Sequence, residues 1–204
     1  MRTKKNQAYH GLETKKKKYI ERMKAHIVAD ELIKGVGWAN GKGCAVGCTL
    51  NKYNHSAYET ELGLPEWLAR TEDALFEGLP NKEAMRFPLR FLQAIQVGKD
   101  YTMLWHEWAI FIWKDILPKK HHSKEVLNIV KLHQRVIKGY EVTQKEWDAA
   151  AWYDVRDVAR DIVRYVAWDD VRGVESAAAY KKMANKLIKM LKNNNKQNEK
   201  RKHI

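Results

Sequence analysis

The chain has 204 residues, 45% of them apolar and 31% charged, enough to bury one sizeable core without disulfide or metal staples. Two cysteines four positions apart, and an N-terminus without the basic-then-apolar pattern of a signal peptide, point to a reducing cytoplasm. The most apolar stretch, "MLWHEWAIFIW", carries His106 and Glu107 and falls far short of the roughly 20 apolar residues of a membrane span, so the sequence reads as soluble.

The formal charge of +13 sits at the two ends. Residues 1–24 hold nine Lys/Arg against Glu13 and Glu21, and residues 181–204 hold nine against Glu199, leaving −2 for residues 25–180. The expected organisation is a basic arm over residues 1–18, a helical domain over 19–192 and a basic tail over 193–204. The ends carry too little apolar surface to offset the entropy of ordering them. Such arms aid solubility and make weak anion contacts; gripping nucleic acid is the less favoured use.

Apolar residues recur with the 3.6-residue period of helices and no alternating run marks a strand, so the expected class is all-α, a single compact multi-helix bundle. A first helix is predicted from about Thr14 to Lys34, stopped by Gly35 and Gly37. On its wheel His26 and Asp30 share an arc of roughly 140° with Ile20, Met23, Ile27 and Ile33, which puts a histidine and a carboxylate on the face to be buried. Buried polar groups need partners, and a His26–Asp30 pair satisfying itself at the core edge is the plain reading.

The next segment, "GWANGKGCAVGC" over residues 37–48, is glycine-rich. It is not a nucleotide-binding loop G-x-x-x-x-G-K-S/T, because Val36 replaces the first glycine and Gly43 replaces the hydroxyl residue; nor does it match G-x-G-x-x-G after a strand. Two readings remain open. Backbone amides of Gly41–Cys44 with Lys42 and a helix starting near Cys44 could hold an anion, or the glycines simply form a turn where helices touch. Cys44 and Cys48 fall on one helix face, unlike the C-x₂-C knuckle of zinc ribbons; zinc would need His26 or His55 as further ligands, and no metal is assigned. A helix-start position beside lysine would lower the Cys44 pKa and make it a nucleophile, although small buried cysteines are ordinary core residues.

A short helix is predicted near Ala57–Leu62, then one from Pro65 closed by Gly78 and Pro80. In that helix Glu72 lies inside the arc of Leu64, Leu68, Leu75, Phe76 and Leu79, whereas Asp73 and Glu77 lie outside it. An unpaired buried carboxylate is costly, so Glu72 should meet Lys42 or Arg90, or accept from ribose hydroxyls. "NKEAMRFPLRFLQAIQVG" starts at an Asn81 cap and is broken or kinked by Pro88. "DYTMLWHEWAIFIWKDIL" is apolar nearly all round and is the expected hub of the core, ended by Pro118. Ser123 caps a helix running to Gly139, and Thr143 with Glu146 forms a capping box.

Beyond it "WYDVR" at 152–156 returns as "WDDVR" at 168–172, too few copies for a solenoid. Arg156, Arg160 and Arg164 stand beside Asp154, Asp157 and Asp161, read as ion pairs on a solvated or subunit-facing surface. Gly173 is a possible break before "ESAAAYKKMANKLIKMLK", whose alanines allow close helix approach and a homo-oligomer through the C-terminal helices.

His26-x₃-Asp30-Glu31, Gly35, Trp38, "GKGCAVGC", "ELGLPEWLARTEDALFEGLP", "FPLRFLQAI" and "SAAAYKKMANKLI" together resemble a group of proteins of phages and other mobile elements, over about residues 20–98 and 174–192. That group has no assigned activity to carry over. The resemblance implies a setting, in which small accessory proteins act on host defence and a pocketed one sequesters or destroys a nucleotide immune signal.

The leading expectation is therefore a protein of the host cytoplasm that binds a small anionic, nucleotide-derived ligand. Gly41, Lys42, Gly43 and Cys44 would face phosphate, His26, Asp30 and Glu72 would orient polar groups, and Trp38 would stack on a base. No cofactor is called for. The alternatives are an enzyme degrading such a ligand, with Cys44 and His26 or with His26 and Glu72, and a nucleic-acid or host-protein binder working through the basic arms.

Overall fold

The structure is a computed structural model that describes residues 6–117, 119, 122–150 and 174–194. The fold is predominantly helical, with one two-stranded sheet among the described residues. None of the described helices is long and apolar enough to cross a membrane. The described residues divide into two compact units, one holding those up to Thr102 and those from Tyr180 to Asn194, the other those from Met103 to Ala179.

In the first unit, helix α1 spans Glu13–Val28 and stops six residues before the predicted end. Asp30 takes a left-handed conformation (φ 54°), its N–H donates to the Ile27 carbonyl at 3.3 Å, and the Glu31 N–H donates to the His26 carbonyl at 3.0 Å. This paired-bond ending satisfies the last carbonyls and turns the chain away from the axis. Asp30 is thus an exposed helix stop and shares no face with His26.

The glycine-rich segment then forms a hairpin of β1 (Trp38–Ala39) and β2 (Lys42–Gly43), with Trp38 opposite Gly43 and Ala39 opposite Lys42. Asn40 (φ 51°) and Gly41 (φ 81°) make the turn, the positive-φ pair that a two-residue hairpin requires. The expectation of no strand overlooked this Asn-Gly dipeptide, the strongest short-range hairpin signal. Helix α2 (Ala45–Leu50) follows and is buried along its whole length. A β-carbon on Gly43 or Gly47 would run into the Gly37 carbonyl oxygen, so hairpin and helix pack backbone against backbone.

Helices α3 (Ala57–Glu61), α4 (Glu66–Gly78), α5 (Asn81–Ala84) and α6 (Phe87–Ala94) complete the run. Pro88 sits in the first turn of α6, where its missing N–H costs nothing, so the predicted interruption is a helix start. The core of this unit collects Tyr9, Tyr58, Leu68, Phe76, Phe87 and Phe91, all fully buried. Tyr9 belongs to the stretch expected to be a solvated arm. Its ring is enclosed and its hydroxyl donates to the Leu92 carbonyl at 2.8 Å, so from residue 6 onward the N-terminus is part of the fold.

The second unit contains α7 (Leu104–Phe111), which continues as a π-turn over Ile112–Ile116, then α8 (Lys124–Ile137) and α9 (Gln144–Ala149). Ala109, Trp113, Leu117, Val126, Ile129, Val130 and Ala150 form its core, so the apolar stretch over 103–117 is the hub of this unit, while the first unit has a core of its own. Ser123 accepts from the Val126 N–H, and the Thr143–Glu146 capping box is present, both as predicted. Helix α10 (Val174–Asn193) returns the chain to the first unit. The Pro118 stop, the "WYDVR"/"WDDVR" repeat, its Arg–Asp columns, Gly173 and the tail from residue 195 lie outside the described residues.

The backbone contact at Gly47 sets a testable contrast. Gly47→Ala forces hairpin and α2 apart and should cost about 2 kcal/mol or more, whereas Gly41→Ala, with open space around it, should cost only the left-handed strain of about 1 kcal/mol. Chemical denaturation of the two variants checks the order.

Candidate functional site

The hairpin uses up the amides that were to hold an anion. The Gly43 N–H donates to the Glu31 carbonyl at 3.0 Å, and the Cys44 N–H donates to the Val36 carbonyl at 2.7 Å. Of the four residues of that segment, Gly43 and Cys44 are buried, and Gly41 and Lys42 stand exposed at the turn. Cys44 is the N-cap of α2: its sulfur accepts from the Gly47 N–H at 3.5 Å. Burial pushes its thiol well above the ordinary range, with the neighbouring Asp73 carboxylate adding to the rise and the Gly47 amide opposing it. Burial likewise pushes Cys48 up to about 12. The expectation of a low-pKa Cys44 nucleophile is therefore overturned, because desolvation outweighs the short helix and Lys42 is turned to solvent.

His26 finds partners other than Asp30. Its Nδ1 lies 2.5 Å from Glu31 Oε2, its Nε2 lies 2.9 Å from Asn51 Oδ1, and its ring meets Trp38 edge-on at 5.6 Å. Two of the predicted residues, His26 and Trp38, are thus brought together, with Glu31 and Asn51 as additions. Both additions come from helix ends: Glu31 follows the left-handed stop of α1, and Asn51, itself left-handed at φ 57°, closes α2.

Glu72 is fully buried, as its place on the helix wheel requires, yet its partner is neither Lys42 nor Arg90. The Tyr58 hydroxyl donates to Oε2 at 2.5 Å, and Oε1 has no hydrogen-bond partner among the described residues. Burial raises its pKa to about 8, against the opposing Tyr58 bond and with help from Asp73. A neutral carboxyl in the core costs far less than a bare carboxylate. Glu72 is thereby enclosed, whereas Gly41, Lys42 and Asp30 are exposed, and the hollow expected to unite them is not assembled by these contacts.

Sequence reasoning missed a different cluster. Asp73 Oδ2 accepts from the Tyr53 hydroxyl and faces His55 Nε2, each at 3.0 Å, and the Cys44 thiol lies against the same carboxylate. Burial works against the Asp73 charge, but the bonds from His55, Cys44 and Tyr53 prevail and hold it below the usual carboxylate range. One turn on, Glu77 accepts from the Gly35 N–H at 3.0 and 3.1 Å, and Lys34 donates to the Leu79 carbonyl at the end of α4. The "NKYNHS" loop carries no periodic signal, and its partner lies 18–20 residues downstream, so only the Tyr-x-His spacing hinted at it. No group of three or more His, Cys, Asp or Glu among the described residues is arranged to hold a metal ion.

The remaining chemical feature is basic. On α10 the buried face is Tyr180, Met183, Ala184, Leu187, Ile188, Met190 and Leu191, and the opposite face exposes Lys181, Lys182, Lys186, Lys189 and Lys192. From Ser176 to Asn194 the sequence has no acidic residue, and across the helix boundary Glu83 pairs with Lys181 at 2.6 Å. No protein-family model matches the chain, and no curated protein or solved structure is detectably similar to it.

Two outcomes test this description. Glu72 ionises near 4.5 when unfolded and near 8 when folded, so its contribution to stability is complete below pH 4.5, falls as the unfolded chain alone gives up its proton, and is gone above pH 8. The loss should total on the order of 5 kcal/mol. His133, whose pKa burial lowers to about 3 with a further push from His106, acts in the opposite sense below pH 6.5. The readout is therefore the difference between the parent protein and Glu72→Gln, which should grow more favourable to the variant from pH 5 to 8. Secondly, an aromatic disulfide reagent should label Cys44 and Cys48 only as fast as the protein opens. Rapid labelling of either in the folded state would mean an accessible thiolate.

Proposed function

We propose that the protein binds nucleic acid through the phosphodiester backbone, with the lysine face of α10 as its fixed contact surface. The observation that carries this reading is the two-sidedness of α10: an apolar face is buried in the first unit while Lys181, Lys182, Lys186, Lys189 and Lys192 are exposed on the other side, Lys181 paired with Glu83. Rows of lysine at helical spacing, about 16 Å from Lys181 to Lys192, suit a run of phosphates and carry no base-specific hydrogen-bond code. The enzymatic alternative has less to stand on, since Cys44 is a capped, neutral thiol, Glu72 is enclosed with Tyr58, and His26 is held by Glu31 and Asn51. A small nucleotide ligand would find Lys42 at the hairpin turn, but the Gly43 and Cys44 amides are already donating to carbonyls.

Fluorescence anisotropy with a labelled mixed-sequence duplex, and with a single strand of equal length, tests the proposal. The logarithm of the association constant should fall linearly with the logarithm of salt, by about 0.9 per phosphate engaged on the duplex. Lys189→Ala with Lys192→Ala should flatten that slope by one to two and weaken all sequences alike. Absence of binding at low salt, or a slope and affinity indifferent to the two substitutions, would overturn it.

A further inference from the structure

The first and last described segments of the chain meet on one stretch of ten residues, 93–102. From the N-terminal side, the Asn6 amide donates to Thr102 Oγ1 at 3.3 Å, the Ala8 N–H donates to the Lys99 carbonyl at 2.9 Å, and the Gly98 N–H donates to the Ala8 carbonyl at 2.8 Å. Lys16, in the first turns of α1, donates to the carbonyls of Gln93 and Ile95 at 3.1 and 2.7 Å. From the C-terminal side, the Tyr101 hydroxyl donates to the Leu191 carbonyl at 3.2 Å, Gln96 donates to the carbonyl of Lys192, and the Asn194 amide donates to the Asp100 carbonyl at 2.9 Å. The two sets interleave along the segment: positions 93, 95, 98, 99 and 102 hold residues 6–16, and 96, 100 and 101 hold residues 191–194.

Residues 93–102 thereby tie together two segments, more than 170 positions apart in sequence, that both carry exposed lysines. Lys17 is exposed and Lys15 half-exposed at the start of α1, Lys189 and Lys192 are exposed at the end of α10, and Lys99 lies half-exposed on the segment that holds both. Lys16 is spent on the end of α6, where its charge meets the last carbonyls of that helix. These segments also carry Glu13 and Asp100, and Asp100 accepts from the Thr102 N–H through one carboxylate oxygen at 2.8 Å. The sequence beyond Asn6 and Asn194 carries further basic residues in both directions.

Resting on the nucleic-acid reading above, we infer that the start of α1 and the end of α10 form a single composite phosphodiester-binding surface, joined by residues 93–102. Two lysine sets fixed side by side engage one strand together, because the second contact is made at the high effective concentration set by the first. Two sets on unrelated faces would bind two molecules independently.

Titration of the full-length chain with a 12-base-pair duplex distinguishes these cases, read by calorimetry for stoichiometry and by anisotropy for affinity. The expected result is one duplex per chain. Lys15→Ala with Lys17→Ala, and separately Lys189→Ala with Lys192→Ala, should each weaken that one event about tenfold or more near 0.1 M salt and each flatten its salt dependence. The substituted lysines are at the surface, and unchanged circular dichroism shows that the variants fold. Two duplexes per chain, or binding that ignores the α1 pair while responding to the α10 pair, overturns the composite surface and leaves the nucleic-acid reading in place. A parent protein that binds no duplex at low salt overturns both.

Discussion

Much of the first unit depends on one close approach, the Gly37 carbonyl lying where a side chain would be at Gly43 and at Gly47. Because neither residue has a β-carbon, the hairpin can settle directly on α2, and α2 can be buried on all sides despite having only six residues. That contact decides the chemistry around it. It brings the Cys44 N–H to the Val36 carbonyl and the Gly43 N–H to the Glu31 carbonyl, so amides that would face a ligand in an open glycine loop face backbone oxygens. It also fixes Cys44 at the helix start, where its sulfur is a cap and its neighbour is Asp73. A glycine-rich segment beside a helix is compatible with anion binding and with dense packing, and here packing wins because the amides are spent.

The adjacent carboxylates of α4 show the same rule acting on charge. Glu72 and Asp73 differ by one position and by about a third of a turn, yet their pKa values move in opposite directions. Glu72 faces the core with one phenol as its donor, and desolvation dominates. Asp73 sits at the edge with a histidine, a phenol and a thiol turned toward it, and hydrogen bonding dominates. A buried acid with a raised pKa is often taken as a sign of catalysis. In this unit the two acids are better explained as the anchors by which α4 holds α3 through Tyr58 and the 53–55 loop through Tyr53 and His55.

What could be read from the sequence was local. Helical class, the Ser123 cap, the Thr143–Glu146 box, the Pro88 boundary and the burial of Glu72 all follow from short-range patterns, and each is found. The errors arose where a local pattern was extended. The wheel for α1 treated residues 29–33 as helical because Ile33 continued the apolar arc, whereas a non-glycine residue, Asp30, took the left-handed stop that Gly35 was expected to supply. The hairpin was overlooked because its strands are two residues long and have no room for alternation, although Asn40-Gly41 signalled the turn. The Tyr53–His55–Asp73 cluster and the meeting of the first and last described segments at 93–102 are long-range pairings, and a single sequence has no period that reports them.

The lysines of α10 are costly to the fold taken alone. Lys182 and Lys186 are four apart, Lys186 and Lys189 three, and Lys189 and Lys192 three, spacings at which like charges destabilise a helix by a few tenths of a kcal/mol each. Placing the basic start of α1 against the same ten-residue segment adds to the repulsion. The apolar face of α10, with seven buried side chains, readily outweighs it, since each fully buried aliphatic or aromatic side chain contributes about 1.5 to 3 kcal/mol. A solubilising charge could have been spread over the surface at lower cost. On the proposed reading, a polyanion relieves this repulsion on binding, and partner and folded first unit then stabilise each other by linkage.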